Sequence, residues 1–309
     1  MLAPQDLYRL VADADRRTPD QVPARPVFVH ALDGFVDAGS AASLATGHLL
    51  AELPSRVVAR FDADQLVDYR SRRPRMTFSA DRFTDVKMPE LLLHELRLPD
   101  SSVLYLLVGP EPDTQWERFA AAVGQLVSTL DVRLVVGLHG IPWAAPHTRP
   151  VGLTPHASDR ELIAGRPRWI GDVEVPGHVG ALLELRLGQA GHAAMGFTAH
   201  VPHYLAGTEF PPAAVALLDA LAETVGVELP TGALREAGVS VLAQVDEQVT
   251  GNAETLEAVR GLERQYDAIV DGRHLTGPGL MAPTLPADEI PDAEELAADV
   301  ERFLRELDG

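Results

Sequence analysis

Apolar and polar positions along this chain follow two different periods, which predict strands and helices in alternation. Short apolar runs predict buried strands at 26–32, 57–61, 103–108, 134–138 and 193–197. Apolar residues at helical spacing predict helices at 5–17, 37–50, 114–130, 179–187 and 212–225, with shorter helical turns at 62–66 and 159–163. Because strands and helices alternate, the pattern predicts an α/β sandwich built on a mainly parallel sheet.

Two regions depart from this alternation. Residues 75–99 contain short β-rich stretches joined by turns, which predict a meander or hairpin inserted after the second strand. After residue 228 the pattern becomes helical, with helices predicted at 232–250, 253–266 and 291–307. We therefore divide the chain into an α/β domain at 1–228 and a C-terminal helical region at 229–309, which we expect to pack on the core or on a neighbouring subunit.

Glycine- and polar-rich loops are predicted directly after three of the strands. They span residues 34–40, 137–150 and 196–204. Open α/β sheets bind ligands beyond the carboxyl ends of their strands, so we expect these three segments to meet at one edge of the sheet. That edge is the predicted site.

Composition limits the classes of function. The chain has 309 residues, 46% of them hydrophobic and 23% charged, as in soluble globular proteins. Its net charge of -19 argues against nucleic acid as a partner. No apolar run approaches the roughly 18 residues of a membrane span, and the first twenty residues lack the apolar core of a secretory signal. We therefore expect no membrane association and a cytoplasmic location.

Two residue types are scarce and one is clustered. Cysteine is absent, which excludes disulfides, thiolate zinc sites and cysteine nucleophiles. Lys87 is the only lysine, so the chain has no phosphate-binding Walker lysine. Four arginines fall within residues 70–75. This basic cluster is either a solvated loop or a binding loop for an anion or an acidic partner.

The first of the three loops contains Asp37 at a strand-to-helix junction. Asp37 is expected to cap the helix by accepting the backbone N–H of Gly39 or Ser40. Alternatively, Gly34 and Gly39 allow close approach, and the helix start forms an anion-binding nest. The spacing does not match the Gly-x-Gly-x-x-Gly motif of dinucleotide-binding proteins, so that class is rejected.

The other two loops are rich in histidine. Four histidines fall there, at positions 139, 147, 200 and 203, and His156 follows shortly after the first of these two loops. Neither a His-Glu-x-x-His motif nor an acidic residue at ligand-like spacing is present, so no metal is expected. Arg149, beside Thr148, either clamps a carboxylate or phosphate of a ligand or bonds the carbonyls of neighbouring loops. No Gly-x-Ser-x-Gly motif is present, which argues against a serine hydrolase built on Ser40.

At these loops the sequence resembles the PAC2 family of proteasome-assembly-chaperone-like proteins, in its actinobacterial branch. The matching stretches are 34–39, 139–142 with 146–150, 184–187 and 196–204, and the resemblance covers about 25–225. It implies a three-layer α/β/α sandwich similar to the purine nucleoside phosphorylase-like fold, with the helical region as an appendage. It also implies a role in proteasome-ring assembly rather than catalysis. Members that act on the proteasome tend to end in a hydrophobic-tyrosine-any-residue tail, which the ending Arg-Glu-Leu-Asp-Gly lacks.

These observations lead to one main hypothesis and two alternatives. The main one is a non-catalytic, assembly-chaperone-like or other interaction protein without cofactors, with proteasome subunits among its candidate partners, and homo-oligomeric with a trimer expected first. The first alternative is an enzyme or small-molecule binder that uses the strand-end crevice for a nucleoside- or phosphate-like ligand. The second is a structural oligomer without chaperone activity. The candidate crevice residues are Gly34, Asp37, Gly39, Ser40, His139, His147, Thr148, Arg149, His200 and His203.

Overall fold

A computed structural model of the protein describes residues 3–11, 25–166 and 172–276, the last eight of them for the backbone only. The strands are β1 Tyr8–Leu10, β2 Val27–Asp33, β3 Ser55–Phe61, β4 Arg75–Ser79, β5 Arg82–Lys87, β6 Leu92–Arg97, β7 Val103–Pro110, β8 Leu134–Trp143, β9 Leu153–Ala157 and β10 Ala194–Pro202. The α-helices are α1 Ala41–Glu52, α2 Ala63–Leu66, α3 Trp116–Thr129, α4 Val179–Gln189, α5 Pro211–Val225, α6 Gly232–Thr250 and α7 Ala253–Thr276. Short 3-10 turns occupy Pro4–Leu7, Ala38–Ser40, Arg160–Ile163 and His203–Leu205.

Eight of the strands form one sheet in the order β1-β3-β6-β7-β2-β8-β10-β9. The central strands β7, β2, β8 and β10 are parallel. The flanking strands pair antiparallel. The predicted mainly parallel sheet is therefore wrong outside the centre. A connection as short as residues 98–102, between β6 and β7, can only join antiparallel strands.

Helices cover both faces of the sheet and make three layers. On β2, Val27, Val29 and Ala31 pack in the core beneath α1 and α5, whereas Phe28 packs in the core beneath α3 and α4. A strand buried on both faces must be apolar throughout, which is why the central strands appear in the sequence as unbroken apolar runs. The three-layer α/β/α sandwich implied by the family resemblance is confirmed.

The helices follow their sequence signals closely. On α3 the buried side chains recur at the spacing of a single helical face: Phe119, Ala122, Val123, Leu126 and Val127. Helix α5 begins at Pro211, whose missing N–H costs nothing in the first turn. It ends at Gly226, whose φ of 78° is a left-handed value that glycine adopts without strain.

Two parts of the chain differ from the prediction. The predicted helix at 5–17 is wrong over 8–10, where β1 pairs antiparallel with β3 and occupies the hydrogen-bonding groups of its edge; residues 12–17 lie outside the described residues. The predicted loops at 137–150 and 196–204 are largely strand, because β8 and β10 stay paired as far as Trp143 and Pro202.

The predicted hairpin is confirmed in β4 and β5, which form a separate two-stranded sheet. The apolar segment after it joins the main sheet as β6.

The predicted C-terminal helices are confirmed as α6 and α7. Helix α6 packs on α5 and buries Leu234 and Val249, and α7 packs on α6. The helix predicted at 291–307 lies outside the described residues, and the domain division at 228 remains a prediction. No helix in the described ranges combines the length and apolar character that a membrane span requires.

Candidate functional site

A gap opens in the centre of the sheet between β2 and β8. The two strands are paired only as far as His30 and Gly137, and beyond that point they separate. An isolated bridge between Asp37 and Gly140 joins the two segments again. The gap therefore lies at the carboxyl ends of two parallel strands, where open α/β sheets bind ligands.

The three segments predicted to converge do meet at this edge. Besides the bridge at Asp37, the N–H of Gly39 donates to the carbonyl of Ala206. The rings of Trp143 and His200 stack with their centroids 4.1 Å apart. The predicted convergence is therefore confirmed, although much of it is made by strand residues.

Two cavities border the gap, one on each face of the sheet, and Leu32, Leu138 and His139 line both. The cavity beside α1 has a volume of about 210 Å³. The cavity beneath α4 has a volume of about 40 Å³, and we call it the histidine cavity because four of its lining residues are histidines: His30, His139, His156 and His178.

The cavity beside α1 is bordered by Asp33 and Asp37. Asp37 accepts the N–H of Ala42 at 2.8 Å and that of Ser43 at 2.9 Å, so it caps α1 as predicted. The expected donors were wrong, because a 3-10 turn precedes the helix and shifts its first free N–H groups along the chain. Since Asp37 occupies these groups, the alternative anion-binding nest does not form at this helix start.

Glycines make room for the imidazole rings of the histidine cavity. A Cβ atom would come within 2.9 Å of the His30 ring at Gly137, 3.1 Å of the His178 ring at Gly180 and 2.3 Å of the His156 ring at Gly196. Three elements of the fold, β8, α4 and β10, thus lack a side chain where a ring must lie. The rings of His139 and His178 also stack on Phe35 at the mouth of the cavity, with centroids 5.0–5.7 Å apart.

Burial keeps these imidazoles neutral. Desolvation, with a smaller contribution from nearby histidines, lowers the pKa of His30 to about 3 and that of His139 to about 4. Desolvation also lowers the pKa of His178. At neutral pH these rings therefore offer nitrogen acceptors and N–H donors without a positive charge.

Two carboxylates complete the walls of the histidine cavity. Glu111, which is 8% exposed, accepts the N–H of Val179 through Oε1 at 2.6 Å. Glu184 accepts the Nδ1–H of His156 at 2.7 Å. Among the described residues, neither arginine nor lysine lines either cavity. In the part of the chain that the structure describes, no three histidine, aspartate or glutamate side chains are placed to hold a metal ion.

The candidate residues at 147–149 bind the C-terminal helices instead of lining a cavity. Because Asp246 can only accept, the Nε2–H of His147 donates to it at 3.0 Å, and Nδ1 then accepts the hydroxyl proton of Tyr204 at 2.6 Å. Arg149 makes a bidentate pair with Asp267 of α7, at 2.8 and 2.7 Å. Arg149 does clamp a carboxylate, as the sequence allowed, but one from its own chain.

Thr148 extends the same contact by donating its hydroxyl to Glu263 of α7 at 2.5 Å. This loop is therefore an anchor for α6 and α7.

The remaining candidate residues lie around the gap rather than in it. His200 bonds to Thr154 at 2.7 Å. The Nδ1 atom of His203 lies 3.4 Å from the carbonyl oxygen of Trp143. Gly34 lies against the side chains of Arg72 and Glu111, while Gly39 and Ser40 form the turn before α1. Of the ten predicted residues, only Asp37 and His139 line the two cavities. A ligand or partner role for the others stays a prediction.

Sequence reasoning missed four side chains of the histidine cavity: His30, Glu111, His178 and Glu184. His30 could have been found, since it interrupts the apolar run of β2, and a polar residue in a strand buried on both faces needs a reason. The glycines at 137 and 196 were a second signal, because glycine inside a strand marks a close approach.

Comparison with known proteins places this site in a family. A profile of the PAC2 family matches residues 31–249. The chain belongs to the PAC2 family. A Mycobacterium tuberculosis protein of unknown function has 46% identity and a TM-score of 0.81, over 88% of this chain and 92% of that one. A PAC2 family protein from Streptomyces avermitilis has 30% identity and a TM-score of 0.67, over 76% and 99%.

A third solved structure carries a functional description. The Mycobacterium tuberculosis proteasome-assembly-chaperone homologue has 27% identity and a TM-score of 0.70, over 75% of this chain and 99% of that one. These relatives are consistent with the actinobacterial branch that the motifs indicated. No curated protein matches the chain.

Proposed function

We propose that this PAC2-family protein is a non-catalytic, proteasome-assembly-chaperone-like protein that binds other proteins in the cytoplasm. We further propose that it acts as a homo-oligomer, with a trimer as the first assembly to test. Similarity to the proteasome-assembly-chaperone homologue supports the general role. The observation that carries the proposal is the surface of the hairpin formed by β4 and β5.

This hairpin has one apolar face, which no element of the described residues covers. Met76 is paired opposite Val86 and Phe78 opposite Phe83, so the four side chains lie on the same face. They are between 43% and 65% exposed, and Phe78 and Phe83 contact each other edge to face. An isolated two-stranded hairpin is marginally stable in water, so a face of this kind is stabilised when another protein covers it.

The charge of the hairpin favours an acidic partner. Residues 70–88 contain six basic and two acidic side chains, a net charge of +4 in a chain whose net charge is -19. The rest of the chain is therefore strongly acidic, and a second copy offers the complementary surface. This charge distribution supports the interpretation of residues 70–75 as a loop that binds an acidic partner.

Light scattering after size exclusion tests the oligomer. The wild-type chain should elute at a multiple of 33.3 kDa at micromolar concentration. Replacing Phe78 and Phe83 together by serine should shift it to the monomer while circular dichroism stays unchanged. Val239→Ser is the matched control, because Val239 is 70% exposed on α6, away from the hairpin. A monomeric wild type, or a double variant that keeps its mass, contradicts the proposed assembly.

Capture of purified proteasome core subunits from the same organism tests the chaperone-like role. The wild type should retain these subunits and the hairpin double variant should lose them. Deleting residues 307–309, which lie outside the described residues, should leave capture intact, because Leu307, Asp308 and Gly309 do not match the hydrophobic-tyrosine-any-residue motif. Failure of the wild type to bind any core subunit refutes this role.

A further inference from the structure

The histidine cavity contains buried polar groups that the protein leaves unbonded. His30 is 5% exposed, and neither of its ring nitrogens has a hydrogen-bond partner among the described residues. The Nε2 atom of His139 is also buried without a partner. Buried polar groups are nearly always paired, and an unpaired one costs about 1–3 kcal/mol. The buried Nε2 atom of His139, beside the unbonded ring of His30, indicates a bonding partner supplied from outside.

The charge of the cavity determines what that partner can be. Glu111 and Glu184 line it, and no arginine or lysine among the described residues does so. The Oε1 atom of Glu111 accepts the N–H of Val179, and Oε2 has no hydrogen bond to a described residue, with the Arg72 guanidinium lying nearby on its Gly34 side. The two carboxylates repel a phosphate, whereas carboxylates and the unprotonated nitrogens of neutral imidazoles accept hydrogen bonds from a cation. An ammonium group matches them, because it has three donors, no acceptor and a positive charge.

The size of the cavity limits the ligand further. About 40 Å³ is room for roughly three water-sized groups. A nucleoside or a sugar does not fit in this space, whereas an ammonium head with its first carbons does. The mouth is bordered by Phe35, which is 40% exposed and whose ring stacks on His139 and His178. An aromatic ring at this position also favours a cation.

We propose that the histidine cavity binds the ammonium head of a small aliphatic amine, which donates to His30, His139 and Glu111 while its alkyl part leaves past Phe35. The nucleoside- or phosphate-like ligand considered for this crevice fits these walls poorly. No residue of the β4–β5 hairpin lines the cavity, and amine binding is measured on the protein alone, so the test does not depend on the proposed assembly function.

Titration of the full-length protein at pH 7.5 with propylammonium chloride, followed by histidine-ring NMR and calorimetry, tests the proposal. Propylammonium should bind saturably and shift the ring signals of His30 and His139, whereas sodium propionate and sodium phosphate should not. A parallel titration with Nα-acetyl-lysine methylamide distinguishes a free amine from a protein lysine side chain. Tighter binding of propylammonium indicates a free amine, and tighter binding of the lysine derivative indicates a lysine side chain. A shift with propionate or phosphate equal to that with propylammonium overturns the proposal, as does the absence of saturable amine binding by folded protein.

Two variants and one control locate the binding. Glu111→Gln keeps the shape of the side chain and an oxygen that can accept the N–H of Val179, and it should weaken amine binding about tenfold, the value of one charge-assisted interaction. His30→Leu replaces an unbonded ring by an apolar side chain of similar size and should abolish binding without lowering the melting temperature. Glu161→Gln removes an exposed charge on the 3-10 turn after β9 and should change nothing. Unchanged affinity in both cavity variants overturns the assignment.

Discussion

Asp37 provides the sharpest test of how this fold forms its strand-end crevice. Its two carboxylate oxygens accept the N–H groups of Ala42 and Ser43, the second and third residues of α1. A capping side chain replaced by alanine costs about 1 kcal/mol for one such bond, and a carboxylate near a helix N-terminus adds about 0.3–1 kcal/mol. Two bonds and the charge together predict a loss of about 2 kcal/mol for Asp37→Ala.

Calorimetric melting at pH 7.5 measures this loss. In a protein of this size 1 kcal/mol corresponds to roughly 2–4 °C, so Asp37→Ala should lower the melting temperature by about 4–8 °C. Asp37→Asn keeps one acceptor and loses the charge, and should lower it by about half as much. Ser43→Ala removes only the hydroxyl that donates to Asp37 at 2.7 Å and keeps both backbone bonds, so it should cost least. The reasoning fails if Asp37→Ala melts within 1 °C of the wild type, or if Ser43→Ala costs as much as Asp37→Ala.

Three further predictions follow from contacts around the site. The pKa of His30 is lowered to about 3 and that of His139 to about 4, so only the unfolded chain binds these protons as the pH falls below about 6.5. The stability of the protein should therefore decrease from about pH 6.5 to pH 4. In melts at pH 7, 6 and 5, His30→Leu should reduce the dependence of the melting temperature on pH. Gly196→Ala places a Cβ within 2.3 Å of the His156 ring and should lower the free energy of unfolding by about 1–3 kcal/mol. Gly207 has open space around it, so Gly207→Ala should leave the protein as stable as the wild type. Equal melting temperatures for the two variants would contradict the close-approach argument. Arg149→Lys breaks the bidentate pair with Asp267 and should speed hydrogen exchange of the backbone amides in α7. Arg264→Lys serves as the control, because its partner Glu257 lies within α7, and it should leave that exchange unchanged.

The sequence predicted elements best where a single period dominated. The apolar strand at 103–108 and the helical face that begins at Phe119 correspond to β7 and α3. The pattern failed at β1, because three residues with one inward apolar position fit a helix as well as an edge strand. It also failed where strands extend past their apolar cores, since glycine and histidine in β8 and β10 look like loop residues until the rings they accommodate are known.

The sequence predicted where the candidate site lies, but not most of the residues that line it. The convergence of strand ends follows from topology, so loop positions alone located the edge of the sheet. The partners of its side chains depend on residues distant in sequence: Arg149 pairs with Asp267, 118 positions later, and Glu111 receives the N–H of Val179, 68 positions later. No local pattern contains such pairs, which is why neither alternative for Arg149, a ligand clamp or a bond to neighbouring loops, included its contact with a C-terminal helix.

The hairpin and the crevice are physically connected through one side chain. Arg72, in the basic stretch that leads into β4, donates to the carbonyl of Asp33 at 2.8 Å and pairs with Asp113 at 3.2 Å. Its guanidinium also lies against Gly34, where a Cβ would come within 2.5 Å of both Arg72 and Glu111. A partner that moves the base of the hairpin must therefore move a contact at the end of β2, next to a carboxylate of the histidine cavity. Coupling between the two surfaces requires no distant relay, because Arg72 touches the strand end that borders both.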